Sequence, residues 1–178
     1  MSSLLGLEEE RKSSASNQVS DVDQSELEAT MKSGARWFYW IAALSTINSV
    51  VYMSGSEWSF LAGLGLTQLA QAFVDVAIEN GAPSALKIVA LIFSFVLVAV
   101  FAFFGYYAQK RWSAAFIVGI VIYVLDGLLL LLLGVIASAG FHAFALFFII
   151  RGFLACRTLN AAAAAPAFHT PPQPPTSL

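Results

Sequence analysis

The sequence predicts an all-α polytopic membrane protein with four transmembrane helices and one amphipathic helix in the outer leaflet. Hydrophobic residues make up 58% of the 178 residues, charged residues make up only 11%, and the mean hydropathy is +0.76. This balance is typical of a membrane protein. Several apolar segments approach the roughly 20 residues that a helix needs to cross a bilayer. The uneven distribution of lysine and arginine between these segments then indicates their orientation.

The two ends of the chain are polar and are predicted to lie outside the membrane. Residues 1–24 are acidic and lack the apolar stretch of a secretory signal, so we predict a disordered cytoplasmic arm. Residues 25–36 form a predicted short lead-in helix, because Ser25 and Glu28 have the spacing of a capping box. Residues 158–178 are rich in alanine and proline and are predicted to be a disordered tail with polyproline character.

The region 37–157 between these ends is the predicted transmembrane domain. The predicted spans are 37–53, 86–108, 113–137 and 141–157. The last of them is interrupted by Arg151, whose long stem we expect to carry its charge towards the nearby headgroups.

The segment 58–78 is ambiguous because its second half carries a polar stripe at three- and four-residue spacing. If it crossed the membrane, the basic residues would divide evenly between the two sides. If it does not cross, five basic residues share the cytoplasmic side with both termini, as the positive-inside rule requires. These are Lys32, Arg36, Lys110, Arg111 and Arg157. We therefore predict an interfacial or re-entrant helix on the outer side.

One carboxylate, Asp126, lies inside the apolar stretch YVLDGLLLLLLG. Counting about 1.5 Å per residue from the basic turn at 110 and 111 places Asp126 about 20 Å from the inner edge. The same count reaches Asn48 on the first span and nearly reaches His142 on the fourth. Because polar groups facing lipid are costly, we expect these groups to face one another.

Polar residues of segment 58–78 are predicted to cover this layer. The predicted binding residues are Asp126, His142, Asn48, Tyr123, Gln68, Gln71 and Asp75. Two interpretations stay open: hydrogen bonds that only join helices, and a site for a solute or an ion.

Simple counts argue against several other functions. The single cysteine cannot form an intramolecular dithiol, and two histidines, one of them in the tail, do not supply paired haem ligands. No dense basic cluster suggests nucleic acid. Ser54 or Ser56 could approach His142 as a catalytic dyad, but a serine beside glycine at a helix end is usually a cap. We therefore predict no catalytic residue, metal ligand or cofactor, and favour a non-enzymatic role.

The stretches GARWFYWIAALSTINSV, GLGLTQLAQAF and FHAFALFFIIRGFLACR resemble an uncharacterised family of small bacterial four-helix integral membrane proteins. The resemblance covers about 34–157 and implies a protein of the bacterial inner membrane, without a functional motif to transfer. The expected function is that of a structural or accessory protein in the lipid bilayer, acting through helix and tail contacts with a second copy or another membrane protein. The alternative is a small oligomeric carrier or channel that uses Asp126 and His142.

Overall fold

The computed structural model describes the backbone of residues 2–55 and 63–164, and in the first range it describes side chains for Asp21 and from Asp23 onward. Over these residues the chain is all-helical, as predicted. The helices are α1 (Ser2–Met53), α2 (Gly65–Glu79), α3 (Leu86–Gln109), α4 (Ser113–Leu132) and α5 (Ile136–Ala164). Three of them, α3, α4 and α5, are long and apolar enough to cross a membrane. They lie where the last three spans were predicted.

Helix α1 is continuous over 52 residues. It therefore includes the residues predicted as a disordered arm and as a separate lead-in helix. Ser25 lies inside this helix rather than at a cap, and Glu28 contacts Arg111 instead of closing a capping box. The sequence contains no proline between 2 and 53, so no residue there removes a helical hydrogen bond.

The turn between α4 and α5 lies earlier than predicted. Helix α4 ends at Leu132, whereas the predicted span extended to 137 with a turn near 138–140. The turn instead centres on Gly134, which has φ +76°. Because only glycine adopts this left-handed conformation without strain, the chain reverses at Gly134, while Gly140 remains helical within α5.

Helix α5 extends beyond its predicted end at 157 to Ala164. Alanine is the strongest helix former, and the four residues 161–164 are all alanine. The side-chain amide of Asn160 also donates a hydrogen bond to the Arg111 carbonyl at 3.0 Å, which joins this last part of α5 to the α3–α4 turn. Residues 56–62, which include the predicted start of the amphipathic segment, and the tail from 165 lie outside the described residues.

Helix α1 packs against both α3 and α5, and α4 packs against α5. The centre of this bundle is aromatic: the ring of Phe38 lies 6.1 Å from that of Phe101 and 6.0 Å from that of Phe116. Helices α1 and α5 cross with backbone contact, since a Cβ atom on Gly34 would lie 2.6 Å from the Cα of Gly152. Glycine at both positions is what permits this approach.

Polar contacts join the helices at each end of the bundle. At the Glu28 end, named for the ion pair between Glu28 and Arg111, α1 meets the α3–α4 turn. At the Lys87 end, Lys87 at the start of α3 pairs with Asp75 of α2 at 3.5 Å, and the Tyr52 hydroxyl at the end of α1 donates to Asp75 at 2.8 Å. At both ends, side-chain contacts thus join different helices.

Candidate functional site: a carboxylate at the start of a helix

Asp126 is buried on α4, and both of its oxygens accept hydrogen bonds from the first turn of α2. The Gly65 amide donates to Oδ2 at 2.7 Å and the Leu66 amide donates to Oδ1 at 2.7 Å. Leu64, the residue at the N-cap position, provides no side-chain cap. Asp126 therefore caps α2 from another helix, where its negative charge also complements the positive end of the helix dipole.

His142 on α5 contacts the same carboxylate. Its Nε2 lies 2.8 Å from Asp126 Oδ2 and its Nδ1 lies 2.8 Å from the Ser138 carbonyl. A carbonyl only accepts, so Nδ1 carries a hydrogen. The short contact between Nε2 and Oδ2 then requires one further proton, because two lone pairs would repel each other there. The pair is either an imidazolium with a carboxylate, or a neutral imidazole with a carboxylic acid.

The ring of Tyr123 completes the surroundings of the pair. It stacks on the His142 ring with centroids 4.3 Å apart and planes inclined by 21°. Tyr123 itself is fully buried.

Helix α1 contributes the other side of this site. The Ser45 hydroxyl accepts a hydrogen bond from the Leu64 amide at 2.8 Å and donates one to the Ile41 carbonyl at 2.8 Å. Gly63, with φ +132°, passes so close to α1 that a Cβ atom there would lie 2.8 Å from Asn48 Nδ2. Three successive amides, those of residues 64–66, are therefore held by side chains of α1 and α4. We call this arrangement the α2 clamp, formed by Ser45, Asp126 and His142.

The polar stripe of α2 faces α1 rather than the surroundings of the bundle. Buried Gln71 donates to the Ser49 hydroxyl at 3.3 Å, and the Gln71 carbonyl accepts from Tyr52 at 3.3 Å. Asp75 meets Tyr52 one turn further along. Gln68 lies between the clamp and Gln71 on the helix and is half-buried. Helix α2 thus starts beside Ser45 and runs towards the Lys87 end, joined to α1 by these polar contacts and packed mainly against α3.

The structure brings together the sequence-predicted residues in two groups. Asp126, His142, Tyr123 and Asn48 surround the start of α2, while Gln71 and Asp75 line its contact with α1. The backbone amides of α2, which are the main partners of Asp126, were not predicted from the sequence. A signal was present in GLGLT, where two glycines precede the polar stripe. A Cβ atom on the second of them, Gly65, would lie 2.5 Å from the Leu130 side chain.

Two buried hydroxyls beside the clamp, those of Tyr123 and Ser138, have no hydrogen-bond partner among the described residues. Over the same residues, no group of three or more histidine, cysteine or acidic side chains could hold a metal ion. The Ser54 hydroxyl, considered above as a nucleophile, donates to the Val51 carbonyl at 2.7 Å and is exposed, whereas His142 is occupied by Asp126 and Ser138. Ser54 and His142 therefore do not form a nucleophile with its base, and Ser56 lies outside the described residues.

Comparison with known proteins found no matching family model, curated protein or solved structure.

Proposed function

We propose that the chain is a four-span membrane protein of the bacterial inner membrane with a structural or accessory function, acting through helix and tail contacts with a protein partner. The observation that carries this proposal is the set of hydrogen bonds to Asp126. Both carboxylate oxygens accept a hydrogen bond from a backbone amide of α2, and one of them also contacts His142. A carboxylate engaged in this way holds a helix and has little capacity left for a solute.

The exposed surface of α1 supports its role as the fourth span. Between 37 and 53, its exposed side chains are apolar and recur at helical spacing: Trp40, Ala43, Ile47 and Val50. Its polar residues Ser45, Asn48 and Ser49 are buried inside the bundle. A helix with polar side chains inside the bundle and apolar side chains outside it is expected where the surrounding medium is lipid. These inward polar residues also lower the hydropathy of the segment 37–53.

The same reversed pattern supports a re-entrant placement of α2. Leu66, Leu69, Phe73 and Val76 are exposed, with Phe73 75% exposed, while Gln71 faces α1. A helix lying on the membrane surface would turn its polar side to water. We propose that α2 instead starts at the depth of the clamp and rises through the outer leaflet to the Lys87 end.

The charge distribution supports an orientation with the Glu28 end and both termini in the cytoplasm. Lys32, Lys110, Arg111 and Arg157 all lie on segments at that end, whereas Lys87 marks the other end. This asymmetry follows the positive-inside rule.

A proton carrier or channel, functioning as an oligomer, is the second candidate. It is favoured by the proton shared between Asp126 and His142 and by the two buried hydroxyls, Tyr123 Oη and Ser138 Oγ, that lack a partner among the described residues. Such hydroxyls could extend a proton path beyond the pair. The candidate requires the clamp to open, because the carboxylate is otherwise held by α2.

Reconstitution into liposomes separates the two candidates. The purified protein and its Asp126→Asn variant would be placed in vesicles containing a pH-sensitive dye, and a proton gradient would be applied. We expect the wild-type protein to show no more proton flux than empty vesicles. Flux that disappears in Asp126→Asn, with circular dichroism unchanged, would replace the accessory function by the carrier. Crosslinking in native membranes, with the chain truncated after 164 as the comparison, would then identify which contacts hold a partner.

A further inference from the structure

We propose that Arg36 on α1 and Arg151 on α5 bind the phosphate of an anionic phospholipid. The two arginines line one groove of about 340 Å³ between these helices, which we call the arginine groove. Thr30, Ser33 and Phe148 also line it. Both arginines are exposed on the outside of the bundle. The proposal goes beyond the accessory function and depends only on the placement of α1 in the membrane.

The crossing of α1 and α5 brings the two arginines to the same depth. The helices touch at Gly34 and Gly152, where the built Cβ of Gly34 lies 2.6 Å from the Cα of Gly152. Arg36 follows Gly34 by two residues on α1, and Arg151 precedes Gly152 by one on the antiparallel α5. At about 1.5 Å per residue, their Cα atoms lie about 3 Å and 1.5 Å from the contact, in the same direction. At this shared depth, both side chains line the arginine groove.

Among the described side chains, the arginine groove has no carboxylate to balance its positive charge. Lys32 and Arg111 pair with Glu28. Lys110 and Arg157, near the same end, lie over aromatic rings. Among the residues whose side chains the structure describes, no carboxylate lies within ion-pair distance of Arg36 or Arg151. Two guanidinium groups without a counter-charge, facing lipid, are most stable with an anion from outside the chain. A planar guanidinium binds phosphate oxygens in pairs, so phosphate fits both groups.

The groups along the arginine groove follow the order of groups in a phospholipid. Nearest the Glu28 end are the hydroxyl residues Thr30 and Ser33, which can meet a polar headgroup. The two arginines follow at the level of the phosphate. Beyond them lies an aromatic surface, where the rings of Trp37 and Phe148 stack with centroids 5.1 Å apart and can pack against an acyl chain. Basic pockets between spans on the cytoplasmic side are known positions for anionic headgroups.

The side chain of Arg151 was predicted to extend towards the nearer end of the membrane. Instead its Cζ lies 5.8 Å from the centre of the Phe147 ring, one turn towards the Lys87 end. The charge is thereby directed deeper into the membrane. A phosphate drawn towards Arg36 and Arg151 would supply the counter-charge that this position lacks.

Binding can be measured on the full chain in neutral detergent by adding phosphatidylglycerol, phosphatidylcholine or inorganic phosphate, with lipid occupancy followed by native mass spectrometry. Near a membrane, each basic residue changes affinity for anionic lipid by about fivefold. We therefore expect Arg36→Gln/Arg151→Gln to bind phosphatidylglycerol roughly 25-fold more weakly. The matched control is Arg157→Gln, because Arg157 lies 5.8 Å over Phe153 on the same helix, as Arg151 lies over Phe147. Its affinity should stay within about twofold of wild type.

Each outcome decides the proposal. Preference for phosphatidylglycerol over phosphatidylcholine, lost in the double variant and kept in the control, supports it. Equal binding by the double variant and wild type would overturn it, as would equal losses in the control. Saturation by inorganic phosphate at concentrations similar to those of the lipid would assign the groove to a free anion instead. Arg36→Lys/Arg151→Lys, which keeps both charges, should recover part of the affinity and thereby exclude a folding defect as the cause.

Discussion

Replacing Asp126 with asparagine should loosen the start of α2 by a calculable amount. The asparagine oxygen can replace Oδ1 and accept from Leu66, and its NH₂ group can replace Oδ2 and donate to His142 Nε2. The Gly65 amide then faces another donor and loses its acceptor. One unpartnered buried donor costs about 1–3 kcal/mol, and the lost charge at the helix start costs about 0.3–2 kcal/mol. The variant should therefore lose roughly 1–5 kcal/mol of unfolding free energy.

Asp126→Leu should lose more, because it leaves three buried groups without a partner: two amides and the His142 ring nitrogen. Unfolding in mixed micelles, followed by tryptophan fluorescence, would give the free energies. Hydrogen exchange of a peptide covering 64–70 would test whether the loss is located at the start of α2. Asp75→Asn is the matched control, since Asp75 is half-exposed and its pairing with Lys87 should contribute less than about 1 kcal/mol.

A double-mutant cycle would test whether Asp126 and His142 act as one unit. Asp126→Asn and His142→Gln should couple by roughly 0.5 kcal/mol or more, as residues in contact do. The pair Asp126→Asn with Asp75→Asn should be additive, because Asp75 lies nine positions after Leu66 on α2. The reasoning would be refuted by an Asp126→Asn loss below about 1 kcal/mol together with unchanged exchange at 64–70.

Two further predictions concern packing and topology. Gly152→Ala should cost about 1–3 kcal/mol, because its new Cβ would lie 2.7 Å from the Cα of Gly34, whereas Gly140→Ala on the same helix meets nothing within 4 Å and should be neutral or stabilising in the same unfolding assay. A gain of stability in Gly152→Ala would contradict the crossing. In a chain without its native cysteine, a cysteine at exposed Ser84 should react with an impermeant reagent in spheroplasts, and one at exposed Thr158 should not. The reverse pattern would invert the proposed orientation.

The helices whose position follows from local composition were predicted from the sequence, and the turns between them were less predictable. Apolar segments long enough to cross a bilayer predicted α3, α4 and α5 because a span requires little beyond length and hydropathy. The position of the α4–α5 turn was less predictable. Both Gly134 and Gly140 could end a helix, and only the three-dimensional path of the chain selects the one that adopts positive φ. The extent of α1 likewise depends on the absence of any residue that stops it.

Depth counting predicted part of the site because it uses only the rise of a helix. It placed His142 one residue from the level of Asp126, and the two side chains are in contact at 2.8 Å. The amides of Gly65 and Leu66 could not be found in this way, since a helix has to begin inside the bundle for its first turn to reach Asp126. That arrangement depends on where α2 begins relative to α4, which periodicity does not determine.

The proton count of the Asp126–His142 pair has a consequence for the response of α2 to the membrane potential. An imidazolium with a carboxylate and an imidazole with a carboxylic acid both have zero net charge. A potential of 100 mV acts on a single buried charge with about 2.3 kcal/mol when the charge crosses the whole membrane, but on a pair without net charge only through its dipole. Ser45, which holds the adjacent amide of Leu64, is also uncharged. In the proposed membrane placement, α2 should therefore be held equally firmly whether the membrane is energised or depolarised.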